Sequence, residues 1–334
     1  MVHNHNILTI RGLKTYFYTP SGPVKAVDGV NLEIRKGEAV GLVGETGSGK
    51  SATALSIVKL LPHPGKIVGG EVYFEGENIL TKTTKEMRMV RGARIGMIFQ
   101  DPLTSLNPAL KIGYQIAEPL MLHQGLNKSR ALKRAVEMLK LVGIPEPEKR
   151  INQYQHELSG GMKQRVMIAM ALTCNPSLLI ADEPTTSLDV TIQVQILDLI
   201  TQMRKKFGSS LLLITHNLGV VSEICDKVAV MYAGNIIEFG NVKSVLKHPK
   251  HPYTVGLLDS IPKKEEERDE LPFIPGNVPR MIEPPSGCRF HPRCSFAEEV
   301  CSRVRPDLVE VESGQVAACH LYNGMIQAKP KRLN

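Results

Sequence analysis

Short strand-like runs of apolar residues dominate the first hundred residues of the chain. Five segments are either wholly apolar or alternate between apolar and polar side chains, at the length typical of strands. They lie at residues 7–11, 30–34, 39–43, 71–74 and 95–99. Between 111 and 165 the apolar residues follow helical spacing, as in 132–142. This predicts a helical subdomain at about 101–165, inserted after a strand-rich part.

Strand and helix alternate again after this insertion. Residues 178–182 begin with a wholly apolar run, 189–207 form a helical pattern ended by Gly208, and 211–215 are again mainly apolar. Uninterrupted apolar strands between helices are typical of a parallel sheet that is covered on both faces. The pattern therefore predicts an α/β fold with a mainly parallel sheet.

The composition changes after Gly240. Residues 263–270 are a run of charges, which we interpret as a solvated linker or helix face, and several prolines follow. We therefore divide the chain into a main domain at 1–240 and a small, loop-rich appendage at 241–334.

The segment 44–51 reads G-E-T-G-S-G-K-S and follows the apolar run 39–43 directly. It fits the phosphate-loop pattern, in which backbone N–H groups surround phosphates and the lysine reaches the β- and γ-phosphates. The expected ligands of a nucleotide are the loop residues Gly44, Thr46, Gly47, Ser48, Gly49, Lys50, Ser51 and Ala52. Lys50 would neutralise phosphate charge, and the Ser51 hydroxyl would bind Mg²⁺. A plain glycine turn leaves the adjacent Lys and Ser unexplained.

Polar residues follow several of the predicted strands. Asp182 and Glu183 end one strand, and His216 and Gln100 follow two others. Because the carboxyl ends of parallel strands face the ligand crevice, we expect these four side chains near the phosphates. Asp182 and Gln100 suit the shell of Mg²⁺, Gln100 can also reach the attacking water, and Glu183 suits polarising that water. An isolated His is more often structural, so its position carries the assignment of His216.

A second glycine-containing segment, 158–165, reads L-S-G-G-M-K-Q-R. Ser159, Gly160 and Gly161 should open a helix, and their N–H groups and hydroxyl suit another phosphate. Together with the phosphate loop, this segment predicts an ATPase whose site is completed by a second copy or a close relative.

The net charge of +8 comes from 41 basic and 33 acidic residues. We find no basic stripe with interleaved aromatic residues, and there is no Trp. An ordinary solvated surface explains the charge better than nucleic-acid binding. No run approaches the roughly 18 apolar residues of a membrane-spanning helix, and the first residues lack the pattern of a secretory signal, so we expect a cytosolic chain.

Four of the six cysteines are concentrated in one stretch of the appendage. Cys288, Cys294, Cys301 and Cys319 have the spacing C-x5-C-x6-C-x17-C. Zinc sites usually show closer C-x2–4-C pairs, whereas the spacing in iron–sulfur sites varies more widely. We favour a [4Fe–4S] cluster over Zn²⁺, and either over four free thiols. Such a site would hold together an appendage too small to bury a core.

These motifs, in this order, resemble the nucleotide-binding subunit of ABC transporters over about residues 7–240. The resemblance implies a P-loop NTPase core of the ABC ATPase type, with an antiparallel β part, an inserted helical subdomain and a C-terminal appendage. It also implies that two subunits enclose two ATP molecules, each bound by one chain's phosphate loop and the partner's 158–165 segment. An aromatic ring stacks on adenine in the family; Phe17 is the first choice here and Tyr16 the alternative.

The appendage resembles the C-terminal extension of dipeptide and oligopeptide importers, in the segments 251–258, 274–279 and 287–294. This implies ATP-driven peptide import through two membrane-spanning permease subunits, with a homologous ATPase subunit or a second copy as partner. An extracytoplasmic peptide-binding protein would take part indirectly, and the chain would lie at the cytoplasmic face of the membrane.

Three other functions compete with peptide import. Nickel importers of the same group are similar in sequence, so nickel is an alternative solute. An ABC-type ATPase acting on DNA would carry a much longer insertion than the roughly 107 residues between the phosphate loop and 158–165. A binding module that only senses ATP would not need Glu183 and His216. Since every phosphate-binding residue lies before 241, we expect ATP turnover to be independent of the appendage.

Overall fold

The computed structural model describes residues 5–186, 188–261 and 273–326, with residues 103 and 104 as backbone only. The predicted charged run at 263–270 and Ser187 lie outside the described residues. Two compact units make up the chain. The first holds the described residues of Met1–Leu8, Ile34–Ala39 and Tyr73–Ile214, and the second those of Thr9–Glu33, Val40–Val72 and Thr215–Asn334. The boundary at 240 stays a prediction.

The described residues form both β-strands and α-helices. The strands are β1 (Asn6–Thr19), β2 (Gly22–Arg35), β3 (Ala39–Val43), β4 (Gly65–Phe74), β5 (Glu77–Asn78), β6 (Ile95–Ile98), β7 (Leu178–Asp182), β8 (Ser210–Ile214), β9 (Lys227–Tyr232), β10 (Asn235–Asn241), β11 (Val309–Glu312) and β12 (Gln315–Ala317). The helices are α1 (Lys50–Ile57), α2 (Thr84–Val90), α3 (Pro102–Ser105), α4 (Ile112–Gln124), α5 (Lys128–Leu141), α6 (Pro147–Arg150), α7 (Gly160–Leu172), α8 (Val190–Phe207), α9 (Leu218–Ile224), α10 (Val242–Lys247), α11 (Pro252–Asp259) and α12 (Glu299–Arg303). Short 3₁₀ turns lie at Ile79–Thr81, Gln155–Glu157 and His291–Arg293. No described helix is long and apolar enough to span a membrane.

In the first unit β6, β7 and β8 run parallel, with Ile95 opposite Leu178 and Leu178 opposite Ser210. Every residue of β7 and β8 is buried, as expected for parallel strands covered on both faces. Helices α3 to α7 fill the segment predicted to be helical. Helix α8 begins at the cap Asp189 and ends at Gly208, whose φ of +68° suits glycine, as the sequence predicts.

In the second unit β3 runs parallel to β9, and β9, β10, β12 and β11 follow in antiparallel pairs. Strands β1 and β2 are neighbours of 14 residues each, much longer than the sequence predicts. They extend to a tight turn at which the Thr19 hydroxyl donates to the Gly22 carbonyl at 2.8 Å. The alternation of apolar and polar residues is strongest at 7–11 and 30–34, and pairing between the two strands extends both beyond these residues.

The C-terminal residues of the second unit are fastened by a buried carboxylate. Glu238 of β10 is fully buried, and its oxygens accept hydrogen bonds from the N–H groups of Lys250 and His251 and from the Gln315 amide, at 2.8–2.9 Å. Burial raises the pKa of Glu238. These bonds compensate a buried polar group and join the segments around residues 250 and 315 to β10.

Candidate functional site: a phosphate loop, a catalytic turn and a cysteine pocket

The loop between β3 and α1 is formed by backbone with little room for side chains. A Cβ atom at Gly44 would lie 2.1 Å from the Met231 carbonyl oxygen, and one at Gly49 would lie 2.2 Å from that of Ala26. Gly47 and Gly49 have φ values of +80° and +104°, which favour glycine. The sequence pattern links these glycines to phosphate binding. In the structure, Gly44 and Gly49 also have no room for a side chain, and Gly47 has a backbone conformation that favours glycine.

The loop between β3 and α1 has features that suit an anion. Thr46 and Gly47 are exposed, whereas Ser48 is fully buried. The Ser48 hydroxyl has no hydrogen-bond partner within the described parts of the chain. Successive backbone N–H groups at the start of a helix form a concavity for anions. The eight residues predicted to hold the nucleotide, from Gly44 to Ala52 with Glu45 excepted, therefore lie together in the loop and first turn of α1.

The side chain of Lys50 is folded back onto this loop. Its amine donates to the carbonyl oxygens of Gly44 at 2.8 Å and Glu45 at 3.0 Å, and the residue is 5% exposed. These two carbonyl groups fix the position of a buried cation beside the glycine loop. A phosphate that enters the loop meets this cation already desolvated and held in position.

A turn after β7 carries the two predicted carboxylates. Asp182 is the last residue of β7 and is buried, and Glu183 follows it with a φ of +45°. Such a backbone conformation is unusual for a residue with a side chain and is often found at functional sites. A hydrogen bond from the Glu183 N–H to the Ile214 carbonyl, at 2.9 Å, holds this conformation.

The carboxylate of Glu183 is oriented by two donors. The Gln100 amide donates to Oε2 at 3.2 Å, and the Thr186 hydroxyl donates to the same oxygen at 2.9 Å. The structure thus brings together Gln100 and Glu183, which the sequence had placed at the ends of separate strands. Thr186 was missed, because a hydroxyl three residues after a carboxylate gives no distinctive pattern.

The segment 158–165 opens helix α7, as the sequence predicts. The Ser159 hydroxyl caps the helix by accepting from the Met162 N–H at 3.4 Å, and Gly160 is its first residue. Ser159 and Gly160 are exposed and Gly161 is half-buried. The buried amide of Gln164 donates to the Pro184 carbonyl, so the start of α7 is tied to the turn that carries Glu183.

The remaining nucleotide-site residues lie in the second unit. His216 is exposed and follows β8, the position that the sequence gave it. Tyr16 and Phe17 point to different neighbours: the Tyr16 hydroxyl donates to Asp28 at 2.9 Å, whereas Phe17 packs against Gly65, where a Cβ would lie 2.7 Å from the ring. The engagement of Tyr16 by Asp28 favours Phe17 as the adenine-stacking residue, which stays a prediction.

The four cysteines of the C-terminal region line one small pocket. Cys288, Cys294, Cys301 and Cys319 surround it, with the side chains of His251 and Phe290 among the other lining residues. Burial, and to a smaller extent the neighbouring cysteines, raises the pKa of the Cys294 thiol to about 11 and that of the Cys319 thiol to about 12. The sequence predicted that these residues converge, and they do.

A metal site is not supported in the same way. Across residues 5–186, 188–261 and 273–326, no group of three or more His, Cys, Asp or Glu side chains is arranged so that it could hold a metal ion. This applies to the four cysteines predicted as iron–sulfur or zinc ligands, whereas the Mg²⁺ ligands Ser51, Gln100 and Asp182 stay a prediction. The structure therefore shows that the four cysteines share a pocket, and it does not show that they bind a metal.

The comparisons with known proteins agree with these motifs. A family model described as ABC transporter matches residues 27–186, and one described as oligopeptide/dipeptide transporter, C-terminal region, matches residues 237–301. A solved dimeric structure of the ATP-binding cassette MJ0796 bound to ADP and Pi is 28% identical, with a TM-score of 0.64 over 70% of this chain and 98% of that one. The structure of cbiO1 from Clostridium perfringens is 32% identical, with a TM-score of 0.62 over 73% of this chain and 92% of that one. These likenesses establish the ABC ATPase fold.

Relatives that match almost the whole chain specify the family further. A probable peptide ABC transporter ATP-binding protein of Sinorhizobium fredii is 51% identical over 96% of both chains. The oligopeptide transport ATP-binding protein OppD of Salmonella typhimurium is 49% identical over 94% of this chain and 93% of its own. The dipeptide transport ATP-binding protein DppD of Haemophilus influenzae is 48% identical over 94% of this chain and 95% of its own. The chain thus belongs to the ATP-binding proteins of oligopeptide and dipeptide ABC transporters.

Proposed function

We propose that this protein hydrolyses ATP to power the import of di- or oligopeptides through membrane-spanning partner subunits. The observation that carries the proposal is the combination of a phosphate-binding cradle holding Lys50 with a C-terminal region of the peptide-transporter type. Relatives named for oligopeptide and dipeptide transport favour peptides over nickel as the solute. Nucleic acid is not a proposed ligand.

The residues of the site divide the chemistry among them. The backbone of the loop and Lys50 bind the phosphates, and Phe17 stacks on adenine. Ser51, Gln100 and Asp182 would hold Mg²⁺, whose charge offsets that of the β- and γ-phosphates. Glu183, oriented by Gln100 and Thr186, polarises the attacking water, and His216 contacts the γ-phosphate region.

The proposed assembly has two ATPase subunits and two permease subunits. Ser159, Gly160 and Gly161 act on the nucleotide of the partner, which is a homologous ATPase subunit or a second copy of this chain. Residues 1–240 serve as the nucleotide-binding domain, with a helical subdomain at about 101–165, and 241–334 as the C-terminal appendage. We place the chain peripherally at the cytoplasmic face of the membrane, with a peptide-binding protein acting on the other side.

Reconstitution with the permease subunits and the peptide-binding protein tests this function. A dipeptide or a pentapeptide is expected to raise ATP turnover and to enter the vesicles, whereas Ni²⁺ should do neither. The Lys50→Ala variant is the control, because loss of the main counter-charge of the triphosphate should abolish both signals. Stimulation by Ni²⁺ alone, or equal turnover by the Lys50→Ala variant, would contradict the proposal.

We also infer that the cysteine pocket holds a [4Fe–4S] cluster. A single zinc ion gathers four ligands around one atom, whereas a cubane cluster binds each thiolate to a different iron and spaces the four farther apart. Four cysteines that line one pocket would supply one thiolate for each iron of such a cluster. The cluster would join the 3₁₀ turn His291–Arg293, helix α12 and the loop that carries Cys319.

An unsatisfied hydrogen-bond donor in the pocket supports this inference. His251 is 1% exposed, and its Nδ1 accepts from the Tyr253 N–H at 3.0 Å. The hydrogen of the neutral ring is therefore on Nε2, and that atom has no partner in the described part of the chain. His251 lines the same pocket as the four cysteines, and a ring N–H there suits thiolates or inorganic sulfide, which accept hydrogen bonds.

Protein purified without oxygen is expected to be brown and to contain about four irons per chain. Replacing any one of Cys288, Cys294, Cys301 or Cys319 by Ser should remove the colour and make the C-terminal region more sensitive to protease. Cys174→Ser is the matched control, since Cys174 is buried outside the pocket. Colourless wild-type protein with one zinc per chain would replace iron by zinc, and metal-free protein with a protease-resistant C-terminal region would exclude both.

A further inference from the structure

The second residue of the phosphate loop, Glu45, is bound through all of its polar groups. Its carbonyl accepts from the Ser48 N–H at 3.1 Å and from the Lys50 amine at 3.0 Å. Its N–H donates to the Tyr253 hydroxyl at 2.9 Å, and its carboxylate accepts from Arg293. Glu45 therefore stands between the phosphate-binding lysine and two residues from the C-terminal region.

Arg293 and Glu45 form an ion pair although they lie 248 positions apart in the sequence. Both terminal nitrogens of Arg293 donate to the carboxylate, at 2.7 and 3.1 Å. The Arg293 side chain is only 6% exposed, and its other N–H bonds reach the carbonyls of Pro275 and Ile274 at 2.8 and 3.3 Å. A shielded, bidentate and otherwise satisfied pair is far less screened than a surface ion pair. The guanidinium of Arg293 is thus held by Glu45 on one side and by the two backbone carbonyls on the other.

Aromatic packing holds the ring of Tyr253, whose hydroxyl binds Glu45, in position. Tyr253 is fully buried near the start of α11, with ring centroids 4.6 Å from Tyr232 and 5.4 Å from Phe290. The guanidinium of Arg293 lies 5.7 Å from the centroid of the Tyr232 ring. The rings therefore form one cluster that carries both groups bound to Glu45.

This cluster also borders the cysteine pocket. Phe290 lines that pocket, and Arg293 directly precedes Cys294, which lines it too. A change in the fold around the cysteines therefore displaces the residues that hold Glu45. The sequence suggested that ATP chemistry is independent of the appendage; these contacts argue the opposite.

We propose that Arg293 and Tyr253 are positioning residues of the phosphate loop. They hold Glu45 so that its carbonyl fixes Lys50 for the phosphates of a nucleotide, and nucleotide affinity thereby depends on the C-terminal region. Arg293 also neutralises a carboxylate that would otherwise repel an incoming polyphosphate. The proposal rests on the proposed function, since it concerns the site that binds ATP.

The test measures the binding of Mg²⁺–ADP to the full chain by calorimetry, so that no hydrolysis interferes. Arg293→Ala is expected to weaken binding by about tenfold, as fits loss of a charge-assisted pair. Tyr253→Phe, which keeps the ring and removes only the hydroxyl, should weaken it by a smaller factor of about three. Arg303→Ala is the matched control, because Arg303 is exposed and its ion pair is with Glu299 on its own helix.

A double-mutant cycle shows whether the effect passes through Glu45. Adding Glu45→Gln to Arg293→Ala should cost no further affinity and should recover part of it, since no unpaired charge then faces the phosphates. Equal affinity of the Arg293→Ala and Arg303→Ala variants, or purely additive losses in the cycle, would overturn the proposal. If Arg293→Ala does not fold, Tyr253→Phe and Glu45→Gln decide it, and unchanged affinity in both overturns it. Failure of the wild-type chain to bind nucleotide would instead reject the proposed function.

Discussion

The Glu183→Gln variant is expected to bind ATP normally while turning it over about a hundred to ten thousand times more slowly. An amide keeps the shape of the carboxylate and can still accept from Gln100 and Thr186, which hold Oε2 at 3.2 and 2.9 Å. It cannot take a proton from the attacking water. Because product formation is blocked after binding, ATP-bound dimers should accumulate.

Single-turnover hydrolysis, ATP affinity and the dimer fraction together measure this effect. Glu137→Gln is the matched control, since Glu137 is exposed and its ion pair is with Arg134 on its own helix. Wild-type turnover in the Glu183→Gln variant would remove Glu183 from its role. Equal loss of ATP affinity and turnover would show that Glu183 serves binding.

Thr186, one of the two donors that orient Glu183, belongs to a turn that is tied to helix α7. Its hydroxyl is the closer of the two donors, at 2.9 Å, and it lies in the same turn. Gln164 ties that turn to the start of α7 through the Pro184 carbonyl. The turn that carries Glu183 and the segment 158–165, which we propose serves the partner's nucleotide, are therefore joined within one unit.

The parts of the site that sequence alone predicted depend on local patterns. An apolar strand, a glycine loop and a helix follow one another between Ala39 and Ile57, and each is recognisable from neighbouring residues. The strand-end position of Glu183 is local in the same sense. The four cysteines were grouped because they lie within 32 residues of one another, and they do share a pocket.

The contacts that the sequence did not predict are of long range or lack a distinctive residue pattern. Glu45 occupies a variable position of the phosphate-loop pattern, so nothing in its neighbourhood points to Arg293. Tyr253 belongs to a segment that the sequence identified only as typical of peptide importers. Glu238 is a single carboxylate within an apolar strand, and only its buried partners show that it fastens the C-terminal region.

Replacing Gly160 by Leu is expected to reduce ATP turnover by about a hundredfold or more while leaving nucleotide binding by a single chain unchanged. Gly160 is exposed, and among the described residues a Cβ there would meet only Leu188, at an ordinary 3.8 Å. Gly161 is less suitable, because its Cβ would press on Ile192 at 3.2 Å. A side chain at 160 therefore disturbs little within the chain and obstructs what approaches from outside, which we propose is the γ-phosphate bound to the partner.

Mixing variants distinguishes this arrangement from a site within one chain. If two copies pair, Gly160→Leu combined with Lys50→Ala should recover part of the turnover, because one of the two composite sites joins an intact loop to an intact Gly160. Ser129→Leu, an equally bulky change at an exposed position in the first turn of α5, should leave turnover unchanged. Loss of nucleotide affinity in the isolated Gly160→Leu chain would contradict action across a dimer. Full turnover by that variant alone would show that Gly160 contacts no phosphate at all.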